Sequence, residues 1–249
     1  MFVANRAFVF ALLAAAPGIL LLGCKPAASV PTASISANGS SDSSGSTTAS
    51  PGKVGAATKP VQLTAVSTSS DSPARAKLNL YPEVLIRTSL GNIRVKLNAE
   101  RAPLTVENFL QNYVETGFYD GTIFHYVDSG FMVAGGGFDA ELNAKPVRAP
   151  IRNEAHHGLA NCRGTIAMAR QSESADSATS QFFFNLGDNA NLDHRNRDSD
   201  AEYGYCVFGE VVEGLDVLDR IAEQPVRDIG EFSKLPEPPV VIKSVQRLN

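Results

Sequence analysis

From residue 83 onward, apolar and polar side chains alternate along two short segments. Residues 83–88 read Glu-Val-Leu-Ile-Arg-Thr and residues 92–97 read Asn-Ile-Arg-Val-Lys-Leu. A period of two places the apolar residues of the second segment on one face of a strand, as in a half-buried sheet. Because only Ser89-Leu90-Gly91 separates the two segments, the pattern predicts a β-hairpin.

Two later segments have the spacing of amphipathic helices. The first begins at Pro103, a residue that suits the first helical turn, and ends before Gly117. Its apolar side chains recur every three or four residues, at Val106, Phe109, Leu110, Tyr113 and Val114. The second helix is expected over residues 214–223.

The remaining apolar segments predict further strands, near residues 164–169, 181–185, 206–211 and 240–248. We expect the last of them to return beside the first strand, because a closed barrel leaves no sheet edge exposed. Periodicity alone therefore indicates a mostly β domain with two helices.

One segment combines strand-forming aromatic residues with clustered glycines. It runs from Phe124 to Phe138 and contains Gly130 and the triplet Gly135–Gly137. Phe, Tyr and Val favour a pleated, half-buried strand, while glycines permit bends or a close backbone approach. This run is expected to form one wall of a binding groove.

The chain before residue 81 differs in composition. Residues 1–23 have a short basic start and an apolar stretch interrupted by Pro17-Gly18, which indicates a signal peptide rather than a membrane span. Residues 24–80 are rich in Ser, Ala, Thr, Gly and Pro, and too few apolar groups remain to offset the entropy of ordering. We expect a disordered tether there and one folded domain over residues 82–249.

Charge and ligand-type residues exclude several partners. The formal net charge is −4 and Lys and Arg do not cluster, so nucleic acid is not expected to bind. His156-His157 and His194 lack a third ligand at a defined spacing, so no metal and no cofactor are expected.

Cys162 and Cys206 are consistent either with a disulfide or with two buried thiols, and the two thiols are favoured. We expect a monomer.

Three blocks together resemble the signature of the cyclophilins, the peptidyl-prolyl cis-trans isomerases. They are the run at 124–138, Gly-Thr-Ile-Ala-Met-Ala at 164–169 and Ser-Gln-Phe-Phe-Phe at 180–184. The resemblance covers residues 82–249. It implies a closed, eight-stranded antiparallel β-barrel capped by two α-helices, and a substrate that is a proline-containing polypeptide.

A shorter motif at residues 21–24, Leu-Leu-Gly-Cys, resembles the bacterial lipobox. The resemblance implies that Cys24 is lipidated and becomes the N-terminus, which anchors the protein to a membrane. Lys25 after the cysteine implies the outer membrane, on the periplasmic side of the cell envelope. An ordinary secretory signal cleaved elsewhere is the alternative.

The family resemblance also implies which residues bind the substrate. The proline pocket corresponds to four residues: Phe131, Met132, Phe183 and Leu192. Ala169 corresponds to its floor, and Gln181 to a catalytic polar residue that contacts the substrate backbone. Tyr205 stands where the family often has His or Tyr.

Departures from the family pattern predict weak catalysis. Tyr126 stands in place of an arginine that donates to the prolyl nitrogen and carbonyl, Ser129 in place of a proline, and Ala134 in place of a glutamine. A charge-assisted guanidinium bond is about twice as strong as a neutral one, and losing such a donor costs about 10²- to 10³-fold in rate. Arg170 is a conceivable substitute donor, although a solvated arginine at the rim is favoured.

Neighbouring positions carry lesser expectations. His125 corresponds to a packed, hydrogen-bonded neighbour of the catalytic position rather than to an acid or base. Asn191 replaces a tryptophan of some relatives, which predicts poor sensitivity to cyclosporin. The charged loop at residues 193–203 is expected to be solvated and to influence which peptides enter.

Three functions are consistent with these patterns. The first is a lipid-anchored isomerase of reduced activity that assists the folding of exported proteins. The second is a catalytically weak or inactive proline-peptide-binding module or chaperone on the same fold, favoured by Tyr126 and Ala134. A purely structural envelope lipoprotein ranks third, because the retained pocket residues would then serve no purpose.

Overall fold

The structure, a computed structural model, describes residues 79–248. The expected signal peptide, Cys24 and nearly all of the expected tether lie outside the described residues. Within residues 79–248, ten strands occur in chain order: β1 Glu83–Thr88, β2 Asn92–Leu97, β3 Thr122–Asp128, β4 Met132–Asp139, β5 Thr165–Met168, β6 Phe182–Asn185, β7 Val207–Glu213, β8 Val226–Ile229, β9 Phe232–Pro236 and β10 Val240–Leu248.

Eight of these strands form a closed antiparallel barrel, in the order β1-β10-β3-β4-β6-β5-β7-β2. The hairpin predicted from alternation is β1 with β2, in which Ile86 lies opposite Ile93 and both are fully buried. The predicted return of the last segment is confirmed, since β10 pairs antiparallel with β1. Closure pairs the first strand with the last, which removes the sheet edges that would otherwise be exposed.

Both predicted helices are present. Helix α1 spans Pro103–Glu107 and continues as a π-helix over Asn108–Val114, while α2 spans Leu215–Ala222. The π-helical part buries Phe109 against the barrel core, with ring centroids 5.9 Å from Phe182 and 5.2 Å from Phe208. The π-helical turn was not predicted, because spacings of three and four residues do not distinguish it from an α-helix.

A distant carboxylate caps the first helix. Its N-cap residue, Ala102, supplies no side-chain hydrogen bond. Instead the backbone N–H of Leu104 donates to Oε1 of buried Glu154 (3.2 Å), and the N–H and hydroxyl of Thr105 donate to Oε2 (2.8 Å each). An anion at this end satisfies the first free N–H groups and the positive end of the helix dipole.

Strands β8 and β9 form a separate two-stranded hairpin that the sequence did not predict. It packs on β3 and β4 through a small apolar cluster in which Leu235 contacts Ile123 and Phe138. The strands are short and β8 is largely exposed, so the alternation that would identify them is weak. Lys234 adopts φ 51°, a left-handed conformation that also interrupts regular strand geometry.

Two further observations concern sequence expectations. Cys206 is a free, buried thiol whose pKa is raised by burial to about 12, so Cys162 and Cys206 are not bonded to each other. The expectation of two buried thiols is wrong for Cys162, which is partly exposed. Across residues 79–248, no helix is both long enough and apolar enough to cross a membrane.

Candidate functional site

A row of side chains crosses five adjacent strands on the face opposite the barrel core. Tyr126 on β3 pairs with Ala134 on β4, Ala134 with Phe183 on β6, Phe183 with Ala167 on β5, and Ala167 with Val207 on β7. All five belong to one apolar cluster. Small alanines lie on both sides of Phe183 in this row, and all three side chains are fully buried.

A bulge in β3 brings Tyr126 into this row. Phe124 pairs with Gly135 while Tyr126 pairs with Ala134, so two steps along β3 match one step along β4. Simple alternation would put Phe124 and Tyr126 on the same face. The extra residue instead leaves Phe124 in the barrel core and turns Tyr126 to the opposite face, a use of bulges that is typical near functional sites.

The residues assigned to the proline pocket by resemblance lie together in the same cluster. Met132, Phe183 and Leu192 are buried there with Ala169, and Phe131 and Tyr205 pack on them while staying partly exposed. The Phe131 carbonyl accepts hydrogen bonds from the Leu186 N–H (2.9 Å) and the Asn189 side chain (2.8 Å), which fix its backbone. The structure therefore brings the predicted pocket residues together.

Gln181 lies against the glycine triplet of β4. A Cβ on Gly137 would come within 2.7 Å of Cγ of Gln181, so only glycine lets that side chain lie flat on the strand. Gly136 has φ +81°, a conformation that favours glycine. The close approach expected from the triplet is confirmed, and it holds the Gln181 amide beside the groove wall.

The Tyr126 hydroxyl is part of a charged group. It donates to Oδ2 of Asp128 at 3.2 Å, and Nζ of Lys234 lies 2.7 Å from the same oxygen. Burial first, and the Asp128 charge second, raise the pKa of Tyr126 to about 12. The phenol is therefore neutral near pH 7 and can donate one hydrogen bond.

Arg170 is not a solvated rim residue, as the sequence had suggested, and it is not aimed at the groove. Its side chain is buried and donates to the backbone carbonyls of Gly204, Gln171, Ser172 and Asp200, at 2.6 to 3.2 Å. The guanidinium also lies 4.6 Å above the Tyr205 ring, which in turn packs edge-on against Phe183 at 5.6 Å. Because its donors bind loop carbonyls, Arg170 supports a pocket wall.

His125 is packed as expected, but it is not hydrogen bonded. Neither ring nitrogen has a partner among the described residues, and the ring lies 4.9 Å from that of Phe138. Burial lowers the pKa of His125 from 6.5 to about 4, so the ring is neutral near pH 7. A neutral, enclosed ring behind the groove wall is consistent with packing rather than proton transfer.

The other histidines gather outside the pocket. The ring of His156 lies 4.1 Å from that of His157 and 6.3 Å from that of His194. Within residues 79–248, no group of three or more His, Cys, Asp and Glu side chains has a geometry that could hold a metal ion. The adjoining loop is mostly exposed and carries a short 3-10 turn at Ala201–Tyr203.

Comparison with known proteins decides the family. Residues 83–247 match the family model described as cyclophilin type peptidyl-prolyl cis-trans isomerase. Peptidyl-prolyl cis-trans isomerase A of Dickeya dadantii is 48% identical over 184 residues, which cover 74% of this chain and 93% of that protein. The chain belongs to the cyclophilin family. This cyclophilin therefore catalyses rotation about the peptide bond that precedes proline.

Further relatives agree with this assignment. Peptidyl-prolyl cis-trans isomerase B of Escherichia coli is 46% identical over 162 residues, 65% of this cyclophilin and 97% of that protein. A crystal structure of a cyclophilin type isomerase from Cryptosporidium parvum has a TM-score of 0.56 at 23% identity and covers 68% of this chain and 98% of that one. The structural likeness supports the fold, and the sequence relatives support the activity.

Lys234 and Asp128 are the members of the site that sequence reasoning missed. Asp128 lies two residues beyond Tyr126 on the same strand, and that spacing is a signal that could have placed it nearby. Lys234 carries no such signal, because it reaches β3 from a hairpin more than one hundred residues later in the chain.

Proposed function

We propose that this cyclophilin is an isomerase of reduced activity that acts on exported, proline-containing polypeptides from a lipid anchor in the cell envelope. The observation that carries the reduced activity is the neutral Tyr126 hydroxyl, bound to Asp128, at the position of the family's arginine. Ala134 beside it supplies no polar group. At these two positions the family has the cation of an arginine and the amide of a glutamine, whereas this cyclophilin has only the neutral hydroxyl of Tyr126.

The reaction requires binding of the proline ring and polar groups that stabilise the twisted amide, and it involves no covalent step. Amide resonance sets a barrier of about 18–20 kcal/mol to rotation about the peptide bond. An apolar pocket that holds the proline ring, with donors that bind the twisted amide better than either planar form, lowers this barrier. We assign the proline ring to the apolar cluster around Phe183, Met132 and Leu192, with Ala169 as its floor, on the side where Phe131 and Tyr205 stay partly exposed.

Two polar groups can act on the amide in this proposal. The Tyr126 hydroxyl would donate to the substrate, and the Gln181 amide would contact the peptide backbone from its place over Gly137. Phe131 and Tyr205, which are partly exposed, would line the entrance. A neutral hydroxyl forms a bond about half as strong as a guanidinium does, so we expect turnover well below that of arginine-bearing relatives.

The proposed location rests on the N-terminal sequence. Lipidation at Cys24 and about fifty residues rich in Ser, Ala and Thr would tether the domain to the periplasmic side of the outer membrane. Newly exported chains pass through this compartment before they fold. A tethered isomerase would meet them while their prolyl bonds are still accessible.

The test is the isomerisation rate of a short Xaa-Pro peptide, measured by exchange NMR on purified protein. Tyr126→Phe removes the hydroxyl and should lower kcat/KM about tenfold, whereas Tyr126→Arg should raise it at least tenfold. Tyr81→Phe is the matched control, because that tyrosine is exposed and lies outside the pocket cluster. A native chain that shifts peptide resonances without turnover, or a Tyr126→Phe variant as fast as the native chain, would contradict the proposal.

A further inference from the structure

Lys234 stands in an unusual position beside the groove. It belongs to β9, in the hairpin that packs on β3, and its Nζ lies 2.7 Å from Oδ2 of Asp128 and 5.9 Å from the centroid of the Tyr126 ring. Its backbone has φ 51°, which disfavours any residue with a Cβ. Backbone strain of this kind persists where the surroundings fix it, often at functional sites.

The two hydrogen bonds to Oδ2 of Asp128 are unequal. The Lys234 bond is 2.7 Å long, within the range of charge-assisted bonds, whereas the Tyr126 hydroxyl lies 3.2 Å away. A hydroxyl bound to a carboxylate usually lies about 2.5–2.7 Å away. The ammonium withdraws electron density from the oxygen that both groups share, and so weakens the attraction of that oxygen for the hydroxyl.

A tyrosine hydroxyl has a single proton to donate. While that proton is bound to Asp128, the hydroxyl offers only lone pairs to a peptide in the groove. To donate to a peptide carbonyl, the hydroxyl must leave the carboxylate. That exchange costs less when the carboxylate is already neutralised by a cation, because the bond given up is weaker.

We propose that Lys234 is a positioning residue of the groove: by binding Asp128, it keeps the Tyr126 hydroxyl available to donate to the substrate peptide. The inference rests on the proposed function, in which Tyr126 is the donor. Lys234 itself acts through Asp128 and does not touch the substrate. This cyclophilin thus has a cation next to Tyr126, bound to Asp128, and that cation acts indirectly.

The experiment measures kcat and KM for the same Xaa-Pro peptide with Lys234 variants of the full chain. Lys234→Met should lower kcat about fivefold, which corresponds to the net free energy of one neutral hydrogen bond, and should leave KM within about twofold of native. Lys234→Gly removes both the amine and the backbone strain, so it should show the same loss of kcat with a melting temperature equal to or above the native one. Lys234→Arg should restore at least half of the native kcat.

Two controls separate positioning from folding. Arg227→Met removes another cation of the same hairpin, whose partner is Glu237 at 2.8 Å, and should leave kcat within about twofold of native. In a Tyr126→Phe background, Lys234→Met should have no further effect, since no hydroxyl remains to be released. An equal loss in that background, or full native kcat in Lys234→Met, would overturn the inference. A native chain without turnover would instead overturn the proposed function.

Discussion

His125 is enclosed between the barrel and the β8–β9 hairpin, with the ring of Phe138 at 4.9 Å and that of Phe232 at 6.5 Å. Burial lowers its pKa to about 4, whereas an unfolded histidine takes up a proton near pH 6.5. Below pH 6.5 the unfolded chain therefore binds more protons, and the free energy of unfolding decreases until about pH 4. Over that interval this residue alone should account for a loss of about 3 kcal/mol.

Urea denaturation at pH 7 and pH 4.5 tests this expectation. His125→Phe, which suits the aromatic surroundings, should remove about 2–3 kcal/mol of the acid-dependent loss of unfolding free energy. His194→Gln removes a half-buried histidine from the surface loop and serves as the matched control. If His125→Phe shows the same pH dependence as the native and control proteins, burial of a neutral imidazole is not a source of acid sensitivity.

The site also shows how far single residues can be predicted. Phe131, Met132 and Phe183 were assigned to one pocket from the family resemblance, and the structure brings them into one cluster. The orientation of Tyr126 depends on a bulge, which the alternation of apolar residues does not encode. The burial of Arg170 was missed because two of its four carbonyl partners, on Asp200 and Gly204, lie thirty or more residues away in the chain.

At the scale of elements, the start of helix α1 depends on a residue far along the chain. Glu154 is 4% exposed and accepts three hydrogen bonds from Leu104 and Thr105. Glu154→Gln keeps the shape but removes the charge and turns one acceptor into a donor that faces donors. We expect a loss of about 2–3 kcal/mol of unfolding free energy, because buried N–H groups would lose a charged partner.

Urea denaturation at pH 7 measures that loss. Glu107→Gln on the exposed side of the same helix is the matched control and should stay within about 0.5 kcal/mol of native. A Glu154→Gln variant as stable as this control would show that solvent or local backbone contacts satisfy the helix start. Sequence reasoning placed Pro103 at that start but did not identify the cap, since Ala102 offers no side-chain acceptor.

Elements were predicted where their periodicity is strong. The β1–β2 hairpin and α2 follow simple periods of two and three to four, and both occur within a residue of the expected bounds. The β8–β9 hairpin was missed because its two strands are short and show no regular alternation of apolar and polar residues. Its apolar side chains pack on β3 and β4. That omission matters for function, since the hairpin carries Lys234 to the groove.

At the scale of the whole molecule, the barrel closes because β1, the first strand of the domain, pairs with β10, the last strand, as well as with β2. Closure makes the row from Tyr126 to Val207 rigid, since each of its five strands is hydrogen bonded on both sides. A rigid wall holds the polar groups at fixed positions, which electrostatic stabilisation of a twisted amide requires. The pairing of β1 with β10 joins residues far apart in the sequence. It was predicted only from the argument that a closed barrel leaves no sheet edge exposed.

The proposed membrane anchor concerns the whole chain, and it is tested in a bacterial host that lipidates exported proteins. The native chain should incorporate labelled fatty acid and sediment with membranes, because several acyl chains on Cys24 hold a protein far more strongly than one. Cys24→Ser should lose the label and appear in the soluble periplasmic fraction, whereas Cys206→Ser, which removes a buried thiol, should keep both label and membrane association. Lys25→Asp should shift the protein from the outer to the inner membrane. A Cys24→Ser chain that still sediments with membranes would contradict the lipid anchor and favour retention of the apolar segment at residues 7–22.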